Sequence, residues 1–252
     1  MDKKHRYMFR HHGKGRTLAH NLRLATLLSF VAGMVNICGV FSVKTLTTNV
    51  TGHFAFFAEE MVLENYTLAF VFILYVLCFL FGSFLSGLLT EITSRSKSNF
   101  SPALPPMIVE ILVLILVWVY SYFYGTTGNN VHIIVSALLF AMGVQNSLVT
   151  QVSKSIVRTT HLTGLFTDLG IELAQLIFYR APSEVKRLKQ SIYLRVAIIL
   201  FFFIGCIVGG FLFKYYELKT LLIASFFLII TLFYDLIRYK LYFLKRRIFT
   251  DN

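Results

Sequence analysis

Six apolar stretches, at roughly 23–43, 67–92, 105–124, 131–151, 191–213 and 220–243, constrain this 252-residue chain more than any other feature. Each is close to the ~20 residues that a helix needs to cross the hydrocarbon core of a bilayer. They predict an all-α polytopic membrane protein. Composition agrees, because only 14% of the residues are charged, against about 25% in soluble domains. The formal net charge of +12 does not point to nucleic acid. The basic residues stand at the ends of apolar stretches, where they report orientation in the membrane. Nucleic acid is therefore not expected as a partner, whereas membrane lipid is.

Two shorter and more polar helical segments lie between the spans, at about 47–63 and 160–178. They are copies of one another. Thr47, Thr48, Thr51, Gly52, Phe54 and Glu60 recur, without a gap, as Thr159, Thr160, Thr163, Gly164, Phe166 and Glu172. Upstream, Gly33 and Asn36 recur as Gly143 and Asn146, and Gly82 and Gly87 are echoed by Gly205 and Gly210. Each half thus has the order span, short polar helix, span, span. This internal duplication divides the chain into a basic cytoplasmic arm at 1–21, a first membrane repeat at 22–124, a second at 131–243 and a basic cytoplasmic tail at 244–252.

Basic residues decide whether the short helices cross. With eight spans, Arg95, Lys97, Lys154 and Arg158 fall outside the cell. With six spans plus two short intramembrane helices, these join Arg180, Lys186, Arg187 and Lys189 on the cytoplasmic side, and only Lys44, Lys214 and Lys219 remain outside. The excess of Lys and Arg in cytoplasmic loops favours six spans with both termini cytoplasmic. An odd number of crossings per repeat turns the second repeat upside down. Inverted repeats with short or interrupted helices are typical of secondary transporters. The Thr-rich entries at Thr45–Thr48 and Thr159–Thr160 suit non-helical backbone at membrane depth, since a hydroxyl can cap a helix N-terminus. Two such N-termini facing inward would favour an anion between them.

The pattern Gly33-x-x-Asn36, Thr51-Gly52, Met142-Gly143-x-Gln145-Asn146 and Arg158-Thr159-Thr160-x-x-Thr163-Gly164-x-x-Thr167-Asp168-Leu169 resembles the YoaK-like family. These are small bacterial inner-membrane proteins grouped as a domain of unknown function. The resemblance spans about Leu22 to Tyr242. It implies a multi-pass protein of the bacterial inner (plasma) membrane and assigns no activity. At position 53 the chain departs from the family pattern, with His53 where Asn is common.

The second short helix carries a polar stripe of Thr160, Thr163, Gly164, Thr167, Asp168, Glu172 and Gln175 on one helical face. Ionisable groups at membrane depth usually face a cavity or a partner. Asp168 and Glu172 stand one turn apart, so mutual repulsion and burial would both tune them towards carrying a proton. Glu60 is the corresponding acid of the first half. Substrate-binding candidates are Asn36, Thr48, Thr51, Gly52, Gln145, Asn146, Thr160, Thr163, Gly164 and Thr167; proton-coupling candidates are Asp168, Glu172 and Glu60. Against binding stands a structural role: small residues such as Gly52 allow close helix contact, and Asn36, Gln145 and Asn146 can simply tie helices together. His53 reads as a hydrogen-bonded structural residue. Glu110, Asp235 and Arg238 read as structural or interfacial, the last two as a pair.

Cys38, Cys78 and Cys206 lie within apolar runs with no C-x-x-C pair, so they read as buried small residues rather than a disulfide or zinc set. The irregular histidines of the N-terminal arm read as part of a solvated tract and not as a metal site. No small-residue cleavage site follows the first apolar run, so no cleaved signal peptide is expected. Motifs for hydrolases, zinc proteases and nucleotide-binding loops are absent from the sequence, so no catalytic residue, cofactor or metal is expected. These features favour a secondary transporter or permease for a small polar solute, anions included, with proton coupling as an option. Two alternatives remain open at this point: a membrane enzyme or binding protein acting on a lipid or isoprenoid, and a non-transporting scaffold or sensor. Further copies of the chain are compatible partners.

Overall fold

The computed structural model describes residues 18–96, 101–152 and 162–234. Seven helices follow in order: α1 Leu18–Val43, α2 Val50–Val62, α3 Tyr66–Arg95, α4 Leu104–Tyr124, α5 Asn130–Val152, α6 Leu162–Phe178 and α7 Pro182–Tyr216. A short 3-10 turn at Glu217–Lys219 then leads into a last helix, α8, over 220–234. No strand occurs among the described residues. Five stretches are long and apolar enough to cross a membrane: Leu22–Val43, Tyr66–Arg95, Leu104–Tyr124, Asn130–Gln151 and Pro182–Tyr234. The chain is a multi-pass helical membrane protein.

Local chemistry sets the breaks. Pro105 and Pro106 open α4, and Pro182 opens α7, where a missing N–H costs nothing. Gly125 (φ 75°) ends α4, beginning the short turn into α5. Glu217 takes a left-handed φ of 48° and divides the last apolar stretch into α7 and α8. α7 alone has 35 residues and is ~52 Å long at 1.5 Å per residue. That exceeds the ~30 Å hydrocarbon core, so its basic first turns extend past the apolar part that begins near residue 191.

Two close helix pairs form the centre, α1 with α7 and α3 with α5, and α1 also touches α5. The pairs use one device twice. A Cβ built on Gly33 of α1 would lie 2.1 Å from the Phe202 carbonyl oxygen of α7, and one on Gly205 would lie 2.1 Å from that of Phe30. In the other pair, a Cβ on Gly82 of α3 would lie 2.1 Å from the Phe140 oxygen of α5, and one on Gly143 would lie 2.2 Å from that of Phe79. Each helix therefore contributes a Phe-x-x-Gly segment: Phe30–Gly33, Phe79–Gly82, Phe140–Gly143 and Phe202–Gly205. A carbonyl oxygen fills the space of a side chain, and only glycine permits it.

Contacts along each seam rise in number together. Phe30 meets Gly205, Met34 meets Gly209 and Phe41 meets Phe213, so α1 and α7 run parallel. Tyr75 meets His132, Phe140 meets Gly82 and Gln151 meets Gly87, so α3 and α5 run parallel too. α8 runs against α1, with Phe30 on Phe227 and Arg23 on Tyr234. α1 and α5 are the inner helices, burying Leu28, Met34, Val35, Leu138, Leu139 and Met142 among others. α3 turns Phe70, Leu77, Phe81, Phe84 and Leu88 outward, a surface suited to lipid. α2 rests on α3, and α6 on α7.

Gly33→Ala and Gly143→Ala should each lower the thermal unfolding temperature of the purified protein in detergent, with a cost at or above the ~1–3 kcal/mol usual for overpacking, because a backbone oxygen cannot swing aside. Gly170→Ala, whose Cβ meets nothing within 4 Å, should leave stability unchanged or raised.

Candidate functional site

The chain leaves α1 at Val43 and reverses through Lys44, whose φ is 55°. Thr45 N–H then donates to the Gly39 carbonyl at 3.3 Å, and Thr47 and Thr45 occupy the space that a Gly39 side chain would fill. Further along, the Thr48 N–H and hydroxyl both donate to Asn36 Oδ1, at 3.3 and 3.0 Å. The segment thus runs back alongside α1 to the level of Asn36, ~10 Å short of the end of α1 by helical rise. α2 starts there, and its 13 residues run back out to the turn at 63–65 before α3 begins.

Asn49 caps α2, its Oδ1 accepting from the Gly52 N–H at 3.1 Å. The sequence pointed to the threonines for this task. Asn is at least as good a cap, and Thr48 is drawn instead to Asn36. Thr51 is exposed and Gly52 half-buried. His53 is buried against the rings of Phe72 and Tyr75, with centroids at 6.0 and 5.3 Å, and neither ring nitrogen makes a hydrogen bond of normal geometry. Glu60 has one buried carboxylate oxygen without a partner.

In the second half, Gln145 Nε2 donates to the Leu28 carbonyl at 2.8 Å, so this residue ties α5 to α1. Asn146 is half-buried and its Oδ1 has no partner. Thr160 lies outside the described residues, as do Asp235 and Arg238. Thr163 and Thr167 are exposed, Gly164 half-buried, and the Thr167 hydroxyl donates to the Thr163 carbonyl at 2.9 Å. Asp168 and Glu172 share a partner that sequence reasoning missed. Arg195 of α7 reaches Glu172 through Nε (3.0 Å) and a terminal nitrogen (3.2 Å), and Asp168 through its other terminal nitrogen (2.7 Å). The Ser191 hydroxyl adds a bond to Glu172 at 2.7 Å. The Arg195 and Glu172 side chains are each 15% exposed, and Asp168 is 52% exposed. A guanidinium fork is well matched to carboxylates, and its charge relieves the repulsion expected between two acids one turn apart. The available signal was an arginine one turn inside an otherwise apolar span.

The matching positions of the first half hold a different chemistry. Asp168 and Arg195 correspond to Phe56 and Phe72, whose rings pack at 5.3 Å. Leu165, buried, stands where the first half has buried His53. One half clamps its short helix with charge and the other with aromatic rings.

The two Thr-Gly motifs do not meet. α2 touches α3, α6 touches α7, and α2 and α6 make no contact with each other among the described residues. The parallel seams place α1 and α5 between them, so the single site expected between the two short helices is split into two separated faces. No group of three His, Cys, Asp or Glu side chains able to hold a metal ion occurs among the described residues.

Comparison with known proteins gives one match. The family model described as "Protein of unknown function (DUF1275)" matches residues 24–234, in agreement with the resemblance to the YoaK-like family. No curated protein and no solved structure matches the chain.

Removing the fork leaves two acids facing each other at the α6–α7 contact. Arg195→Gln should therefore destabilise the protein by about 2 kcal/mol, below the ~3–5 kcal/mol of a fully buried pair because Asp168 is half exposed. Asp168→Asn with Glu172→Gln in the Arg195→Gln background should recover most of this loss in the same thermal unfolding measurement.

Proposed function

We propose, for a chain that belongs to the DUF1275 family of proteins of unknown function, that it is a secondary carrier for a small polar solute, anions included, in the bacterial inner membrane. The observation that carries this reading is the start of α2 beside Asn36. A short helix whose N-terminus begins inside the membrane, fed by irregular backbone, is tolerated only where that backbone is buried in protein or lines a cavity. Carriers use such ends to hold polar solutes. The first turn of α2, where Thr51 is exposed, adds positive dipole character.

We further propose six crossings and two inverted repeats, 22–124 and 131–243. Three contacts support this. α1 runs parallel to α7, α3 parallel to α5, and the doubling back of α2 sends α3 opposite to α1. The first helix of each half then pairs with the third helix of the other, as two copies of opposite sense require. Positive-inside bias puts both termini in the cytoplasm.

Solute contacts would come from Asn36, Thr48, Thr51 and Gly52 in one half, and from Gln145, Asn146, Thr160, Thr163, Gly164 and Thr167 in the other. Asp168 and Glu172, held by Arg195, would couple the position of α6 to charge. An acid–base pair acting on a lipid is disfavoured, since both carboxylates are engaged by one guanidinium.

Single cysteines placed at 125–130 and at 181–190 should label from opposite sides of the membrane; labelling from one side would sink the six-span arrangement. In proteoliposomes the wild-type chain should take up at least one of a panel of small organic and inorganic anions and neutral polar solutes. Asp168→Asn should cut that uptake by at least tenfold while the protein remains inserted. Absence of any uptake across the panel would count against the carrier.

A further inference from the structure

α4 buries Pro106, Met107, Glu110, Ile111, Leu114 and Val117. α8 buries Thr220, Leu221, Ala224, Ser225, Leu228 and Thr231, the same spacing 114 residues later. Where α8 carries the methyl group of Ala224, α4 carries the carboxyl group of Glu110. That side chain is 0% exposed, and neither of its oxygens has a hydrogen-bond partner. The sequence left Glu110 as structural or interfacial, and the structure places it in the interior.

An unpaired carboxylate in such a place is expensive, and the neutral acid is the form that the site can hold. Two further polar groups lie unused on α3, which α4 touches beside its main neighbour α5. Ser86 and Thr90 are 0% and 3% exposed, and their hydroxyl oxygens have no partner. They stand one turn apart on a face continuous with Gly82. Helical rise puts Thr90 ~8 Å and Ser86 ~14 Å before the end of α3 at Arg95, and Glu110 ~9 Å after the start of α4 at Leu104. The three groups thus stand at comparable distances, ~8 to ~14 Å along their helices, from the connection between α3 and α4.

Among the described residues, no charged group on a neighbouring element answers Glu110. Glu91 and Arg95 of α3 pair with each other at an exposed end. Tyr75 of α3 and His132 of α5 bond to each other, near the opposite end of α4, where Tyr120 meets Asn130. Cys78 of α3 is a free thiol, and Glu217 and Lys219 are exposed.

We propose that Glu110, served by the hydroxyls of Ser86 and Thr90, is an intramembrane proton-binding site and, resting on the carrier reading above, the group whose protonation couples transport. Loading forms the carboxyl O–H bond, with a hydroxyl oxygen able to accept from it. Release breaks that bond, hands the proton to water, and leaves a carboxylate to which both hydroxyls can donate. The cycle needs only a conformation that admits water, which both supplies and takes up the proton, to Glu110. Glu110 exists in one half alone, so the event is tied to that half of the chain.

Infrared spectroscopy of the purified full chain in lipid nanodiscs tests the site without any solute. A carboxylic-acid carbonyl band should be present at neutral pH, shift in D2O, fade as pH rises, and be absent in Glu110→Gln. Should that variant fail to accumulate, Glu110→Asp must move the band. Ser86→Ala with Thr90→Val should displace its pH midpoint. Absence of a Glu110-dependent acid band, a band that never exchanges with D2O, or a band abolished by adding sodium or potassium would each overturn the proposal. Failure of every solute in the uptake panel would instead sink the carrier reading and leave this band in place.

Discussion

Four carbonyl oxygens seated in the side-chain space of four glycines hold this protein together. Lipid tails are as apolar as leucine, so no hydrophobic force draws one spanning helix to another. Association must come from close packing and from weak backbone contacts such as Cα–H to carbonyl. Gly33 with Gly205 and Gly82 with Gly143 supply both. They set the register of α1 on α7 and of α3 on α5. Everything else hangs from these seams. α4 and α8 flank the inner helices, Gln145 ties α5 to α1, and each short helix leans on the outer member of one seam.

The parts legible in the sequence are those that depend on local composition. Apolar stretches near 23–43, 67–92, 105–124 and 131–151 became α1, α3, α4 and α5, because length and hydropathy alone decide whether a helix spans. Proline and glycine marked the breaks at Pro105, Gly125 and Pro182. Illegible were the pairings. Phe-x-x-Gly stands in plain view five times, four of them at the seams, yet a carbonyl's partner helix depends on tertiary arrangement and leaves no trace in spacing. Arg195 was hidden for the same reason. Asp168 and Glu172 were visible as a polar stripe on α6, but their cation comes from another helix. For Glu110 the choice between a structural and an interfacial place was not legible, because proximity to a helix end says little about which way a side chain faces.

Matching positions of the two sequence repeats differ in chemistry. Phe56 on Phe72 is a contact indifferent to pH and salt, and Arg195 with Asp168 and Glu172 is sensitive to both. Buried His53 against buried Leu165, and Glu110 against Ala224, repeat the same asymmetry. Duplication alone produces a symmetrical object. The polar departures from it fall at the short helices, in the core of α4 and along the α3–α5 seam, where Tyr75 bonds to His132 and Gln151 meets Gly87, while the α1–α7 seam sets Phe41 on Phe213.

The crossing of partners between halves has a consequence for biogenesis. α1 emerges from the ribosome first, but its glycine face is matched to α7, which appears only when most of the chain has been made. Until then Gly33 has no carbonyl to receive, and the half comprising α1 to α4 holds only the outer member of the second seam. Neither half contains its own partner, so neither is a self-sufficient folding unit. Contacts this distant in sequence make assembly late and slow. The nascent first half must wait in the membrane, with α1 and α3 unpaired, for the helices that complete them.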